Sequence, residues 1–241
     1  LLSTAGVFLT GFLTMAFCCV VLKFACAEGF LLGAVISCTD AASVFSILRK
    51  KKLNLKDGVA SLLEIESGSN DPTAYMLTVV GISLVNGENL STVPYAIFAQ
   101  IVYGVAIGVV LAVFGIWVLT KTRVVTNGMY TVFILALVLF GMGFSSLVGG
   151  NAFLSIYLLG ILMGNSSIRN KKEIIPFFDG VTGLSQIVIF FLLGLLSFPH
   201  KFPYIMGTAI VIALFILLIA RPLTVLLLSL IHISEPTRLR C

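Results

Sequence analysis

Charge is what this sequence has least of. Only 10% of its 241 residues are Asp, Glu, Lys or Arg, against about a quarter in an ordinary soluble domain. That shortage excludes a water-soluble globule. Histidine is nearly absent too: His200 and His232 stand far apart, and no Cys-x-x-Cys spacing occurs. Neither a metal centre nor a redox dithiol is therefore expected. Cys18, Cys19, Cys26 and Cys38 lie in or beside apolar stretches and read as buried free thiols, while Cys241 is the last residue. No glycine-rich phosphate loop is present, so no nucleotide or other cofactor is expected and any driving force would be an ion gradient. The formal charge of +5 implies no nucleic-acid partner, because the basic residues sit in short loops.

Apolar residues fill the space that charge leaves. They make up 59% of the chain, and the mean hydropathy is +1.14. Eight stretches near bilayer-crossing length are expected: Leu2–Leu22, Gly29–Leu48, Gly58–Val85, Val93–Leu119, Met129–Val148, Asn151–Gly164, Ile174–Phe198 and Phe202–Ile231. The sixth is short and follows Gly149-Gly150, which suggests a tilted or incomplete crossing. Gly104, Gly108 and Gly115 fit close helix packing in the fourth.

The loops give an orientation. Arg49, Lys50, Lys51, Lys52, Lys56, Lys121, Arg123, Arg169, Lys171 and Lys172 fall on one side, and only Lys23 and Lys201 on the other. Basic loops stay in the cytoplasm, so ten against two puts that side inside. The chain starts in mid-apolar stretch at Leu1 without a methionine and is expected to be a piece of a longer protein. Its end, "LIHISEPTRLRC", turns abruptly polar after Leu230. Residues 232–241 are expected to be a non-native tail, the alternative being a genuine cytoplasmic loop.

Against this background a few ionisable residues stand out: Asp40, Glu64, Glu66, Asp71, Asp179 and Arg221 all fall within spans. Each costs about 2.5–3.5 kcal/mol to insert and so points to a partner or a watery cavity. Glu64, nearer the cytoplasmic end, reads as an entrance residue. In "LEIESGSNDPTAY", Glu66 and Asn70 are four apart, as are Ser67 and Asp71, so the four share a narrow arc of one helix face. Asp71 falls about 20 Å along a helix starting at Gly58, near mid-membrane. Pro72 follows and removes a backbone donor. The plainer alternative is a kinked helix whose acids pair with neighbours.

"VISCTDAAS" puts Ser37, Thr39, Asp40 and Ser43 in mid-span, where side-chain oxygens can satisfy backbone groups of an unwound turn. Broken helices of this kind build ion sites in transporters. An unbroken helix with polar side chains facing a neighbour is the alternative. Arg221, followed by Pro222, needs a carboxylate, Glu66 or Asp71, unless the span ends there and the side chain snorkels.

These segments resemble the monovalent cation–proton antiporters of the first family, the sodium/potassium–proton exchangers, and within them the bacterial potassium–proton branch. "GAVISCTDAASVFSIL" resembles the interrupted helix, and "LEIESGSNDPTAYMLT" the ion-site helix. "FLSIYLLGILMGN", "FFDGVTGLSQIVIFFLLGLLSFP" and "ARPLTVLLLSL" resemble later blocks in the same order. The resemblance implies an all-α polytopic fold with inverted repeats, here truncated at both ends. Residues 1–86 would form the first core repeat, with its interrupted helix at 29–48 and ion-site helix at 58–85. Residues 93–165 would supply linking, dimerisation-side and core helices, and 174–231 later core helices.

By the same resemblance Asp71 carries the cation and the proton. Asn70, Ser67, Thr39 and Asp40 line the site, and Glu66 and Arg221 form a buried structural ion pair. Asn70 in place of a second aspartate implies electroneutral exchange of K⁺ or Na⁺ for H⁺. The implied protein is not an enzyme but a homodimer in the plasma membrane of a bacterium. A channel, or a multi-span protein whose polar residues only pack helices, is the rival. Flux without stoichiometric proton movement would identify a channel.

Overall fold

The computed structural model describes residues 2–39, 59–87, 90–122, 129–168 and 171–233. Asp40, the basic run from Arg49 to Lys56 and the tail from 234 lie outside the described residues. Among those described, every regular element is helical. They are α1 (Val7–Val20), α2 (Cys26–Ile36), α3 (Val59–Val85), α4 (Val93–Lys121), α5 (Tyr130–Leu147), α6 (Ala152–Asn165), α7 (Lys171–Leu196), α8 (Phe202–Phe215) and α9 (Arg221–Ile233). A π-helical turn, Leu2–Gly6, leads into α1, and another, Ile216–Ala220, joins α8 to α9.

Among the described residues, five stretches are long and apolar enough to cross a membrane: Ser3–Val20, Val93–Lys121, Tyr130–Leu147, Lys171–Leu196 and Pro199–Leu228. The chain is thus a multi-pass, all-α membrane protein. Its helices keep large apolar side chains on their outer faces; α7 buries none of its residues, with Leu184, Ile187 and Leu195 more than 60% exposed. Lipid is the solvent such faces require. The 27-residue α3 is long enough to span but is missing from those five, because its acids dilute its apolar character. The 14 residues of α6 reach about 21 Å, short of the roughly 30 Å hydrocarbon core.

Two helices begin earlier than hydropathy suggests. α2 starts at Cys26 rather than Gly29, and α7 at Lys171 rather than Ile174. Their first turns hold Glu28 and Glu173, and acidic residues suit a helix N-terminus even though they break the apolar run.

The helices form two compact units. One holds the described residues up to Leu90 together with those from Phe198 on; the other is Ser91–Ser197. α7 belongs to the same unit as α4–α6.

In the first unit α1 and α2 cross so closely that a Cβ on Gly33 would collide with the carbonyl oxygen of Gly11. Small residues let backbones approach in this way inside a membrane. A small core of Val7, Ala34, Ala74 and Leu77 joins α1, α2 and α3. Thr10 Oγ1 donates to Thr224 Oγ1 at 3.2 Å, tying α1 to α9. Phe17 stacks on Phe215 with ring centroids 4.0 Å apart.

In the second unit the glycines of α4 serve the packing expected of them. A Cβ on Gly108 would lie 2.6 Å from the carbonyl oxygen of Ser155, and one on Gly115 would lie 2.7 Å from the Leu137 side chain. Ser155 Oγ reaches Gly104 O at 2.9 Å and Ser145 Oγ at 2.8 Å, so one buried hydroxyl links α4, α5 and α6. Gly149 turns the chain between α5 and α6 at φ +79°, a conformation that favours glycine. Asn151 then caps α6, its side chain accepting from Leu154 N at 3.0 Å.

Candidate functional site

The site lies in the first unit, where the end of α2 meets the middle of α3. α2 stops at Ile36; Ser37 caps it, with its N–H on Gly33 O at 3.0 Å and its Oγ on Ala34 O at 2.8 Å. Cys38 and Thr39 follow in non-helical conformation. Eleven residues of helix, about 16 Å, are short of a crossing, and α2 ends where the polar run begins. The residues after Thr39 lie outside the described residues.

α3 runs through unbroken, with Pro72 inside it. Pro72 offers no N–H to the carbonyl of Gly68, four residues back, so the ladder loses a bond beside Asp71. Asn70 and Ser67 are buried, at 0% and 2% exposure, while Asp71 and Glu66 are partly buried.

Side chains stitch the two segments together. Asn70 Nδ2 donates to Thr39 Oγ1, and Thr39 Oγ1 donates to Ser67 Oγ at 3.3 Å. Cys38 Sγ lies 2.8 Å from Asp71 Oδ1, 3.2 Å from Asn70 Oδ1 and 3.5 Å from Thr39 O. A thiol has a single proton, so it serves these acceptors one at a time, and the carboxylate is the nearest. Of the five expected site residues, Thr39, Ser67, Asn70 and Asp71 come together here. Asp40 lies outside the described residues. Asp179 belongs to the second unit.

Arg221 Nη2 donates to the carbonyl oxygen of Ser37 at 2.7 Å. The end of α2 explains this bond. A helix that ends inside the membrane leaves carbonyls without intrahelical donors, and its C-terminus carries partial negative charge. A guanidinium, with five donors and a permanent charge, satisfies both needs. The π-helical turn just before Arg221 has a local cause in Pro222, whose ring clashes with the carbonyl four residues back and widens the helix.

Two features are hardly legible in the sequence. Cys38 reads there as a buried free thiol, and its place beside Thr39 in a polar mid-span run is the available signal. The π-helical turn had only Pro222 to announce it.

The arrangement defines a class: a polytopic helical membrane protein in which one helix ends at a polar run and a carboxylate lies beside that end. The family model described as "Sodium/hydrogen exchanger, transmembrane" matches residues 1–240, and the chain belongs to that family, one of transporters and not of enzymes. It is 35% identical over 227 residues to the K(+)/H(+) antiporter NhaP2 of Shewanella sp. (strain MR-4), covering 93% of this chain and 39% of the relative. It is 36% identical over 240 residues to the K(+)/H(+) antiporter NhaP of Alkalimonas amylolytica, covering 99% of this chain and 42% of that protein. A more distant relative is the probable Na(+)/H(+) antiporter 2 of Methanocaldococcus jannaschii, at 28% over 222 residues. The chain thus spans about two-fifths of the length of the first two relatives.

Proposed function

We propose that the protein containing this chain exchanges a monovalent cation, K⁺ or Na⁺, for H⁺ by alternating access, with both ions competing for Asp71. The observation that carries this reading is the convergence on α3 of a broken helix end, hydroxyls and an amide around one carboxylate. Burial in a low dielectric disfavours a bare negative charge, so the carboxylate takes a proton or a cation to neutralise it. A dehydrated alkali ion needs several oxygens, and Asp71, Ser67 and Thr39 offer carboxylate and hydroxyl oxygen within a few side chains of one another. Asp40, by the family resemblance, adds to this set.

Asn70 supports a one-for-one exchange. Its amide is neutral at every working pH and already bridges α2 to α3, which leaves Asp71 as the carboxylate hydrogen-bonded at the junction among the described residues. The names of the two Shewanella and Alkalimonas relatives favour K⁺ as the cation. The ten-against-two bias of basic residues supports a bacterial plasma-membrane orientation with the basic loops in the cytoplasm. Family resemblance adds a homodimer.

The test uses the full-length protein in everted vesicles, following proton movement on cation addition. Asp71→Asn abolishes cation-dependent proton flux with protein levels intact, and Asp71→Glu keeps some exchange with a shifted pH dependence. Parental exchange by Asp71→Asn removes the residue from the mechanism.

A further inference from the structure

The hairpin between α1 and α2 gathers reactive side chains that the exchange site does not use. Cys18 and Cys19 stand in the last turn of α1, and Cys26 is the first residue of α2. We infer that Cys19 and Cys26 form a disulfide that closes this hairpin on the outer side of the membrane. The choice of side rests on the orientation read from the basic loops; the pairing does not.

Three observations carry the pairing. The turn between the helices is tight: Val21 N–H donates to Phe17 O at 2.9 Å, and Phe24 N–H donates to Cys18 O at 3.1 Å. Between them Lys23 takes φ +60°, a left-handed conformation uncommon outside glycine, so the chain doubles back at once. The Cys19 thiol then lies over the start of α2, where a Cβ on Gly29 would come 3.2 Å from Cys19 Sγ. Cys26 is three residues before Gly29 and shares that helix face, and there the Cys19 and Cys26 side chains meet in a hydrogen bond. Access is the third observation. Cys26 is exposed and Cys19 half-buried, while Cys18 is sealed at 0% exposure. An oxidant reaches Cys26, and Cys19 is the thiol beside it. No Cys-x-x-Cys spacing announces the pair, because the turn and not the spacing brings it together.

Outside the cytoplasm, protein thiols in contact are oxidised to disulfides. The Cys26 thiolate attacks one sulfur of an external disulfide, RSSR, and one RS⁻ leaves. The Cys19 thiolate then attacks the Cys26 sulfur of the mixed disulfide and expels the second RS⁻. One S–S bond forms and one breaks; two electrons reduce RSSR, and the two thiol protons end on two RSH. The new bond closes the open end of the hairpin whose Gly11–Gly33 crossing sets the position of α2.

The experiment traps the thiols of the full-length protein as bacterial cells make it. Cells are opened in denaturant with excess N-ethylmaleimide, and tryptic peptides of the purified protein are weighed before and after reduction. Lys23 stands between the two cysteines, so trypsin separates them and only a disulfide joins the two peptides. The joined peptide is expected in most chains, and fragmentation of it reads Cys19 rather than Cys18 as the partner of Cys26. Reduction splits it. Reduction also lowers the melting temperature of the parent by about 2–6 °C and leaves that of Cys26→Ser, which has no link to lose, unchanged.

Cys19 and Cys26 alkylated before reduction in most chains overturn the inference. So does a link through Cys18 or between two chains. The side is read separately: after reduction of intact cells, a membrane-impermeant maleimide labels Cys26 if the hairpin faces out. Labelling in inverted vesicles alone refutes the orientation, and a joined peptide found with it leaves the disulfide standing. Absence of the joined peptide refutes the disulfide whichever side is labelled.

Discussion

The carbonyl of Ser37 takes its donor from Arg221, 184 residues further along the chain. At the scale of single residues, that bond gives Arg221 a role beside the expected ion pair. A guanidinium paired with Glu66 would be half of an ion pair; one bound to the Ser37 carbonyl caps the end of α2. Arg221→Ala leaves that carbonyl without its donor and costs about 1.5–3 kcal/mol, read as a lower melting temperature of the purified full-length protein. The two roles separate in a cycle with Glu66→Ala. A cap gives a coupling below about 1 kcal/mol, whereas a direct buried pair gives a larger one, since removing one partner strands the other charge. Arg221→Lys keeps the charge and one donor but not the planar fork, and recovers only part of the loss.

At the scale of elements, the α1–α2 crossing holds the broken helix in place. A Cβ on Gly33 would overlap the backbone of Gly11, and backbone cannot move aside as a side chain can. Gly33→Ala is therefore expected to destabilise by about 1–3 kcal/mol and to reduce exchange by displacing the end of α2 from α3. Gly160 in α6 makes the comparison, since a Cβ there meets nothing within 4 Å. Gly160→Ala is expected to stay within about 0.5 kcal/mol of the parent. Melting curves on both variants check the pair, and equal effects would mean that the crossing is looser than its geometry. The hydropathy pattern could not have distinguished these two glycines, because both sit in apolar helices and differ only in what lies across from them.

At the scale of the whole molecule, net charge per cycle is the quantity to measure. Under the proposed exchange, Asp71 beside a neutral Asn70 predicts that one cation and one proton cross in opposite directions. One net charge per cycle would couple exchange to about 2.3 kcal/mol for each 100 mV of membrane potential. Electroneutral exchange is expected to change less than about twofold when such a potential is imposed on proteoliposomes of the full-length protein. A strong dependence would show that a second charge moves.

Sequence alone determined the class of the protein and the identity of its polar residues. Hydropathy is summed along the chain, so the spans of α1 and α3–α6 were legible almost to their ends, as was the carriage of Asp71, Asn70 and Ser67 on one helix face. A mid-span run of Ser, Cys, Thr and Asp marks the place where α2 ends, for the same local reason. Tertiary structure decided partners. Whether Arg221 meets Glu66 or the Ser37 carbonyl depends on where α2 stops and how α9 passes it. Whether Cys38 is inert or touches Asp71 depends on the direction of one side chain after the helix ends. Neither is a property of any window of residues: both bonds join segments far apart in the chain, and only the packing of α1, α2, α3 and α9 brings their atoms within 3 Å.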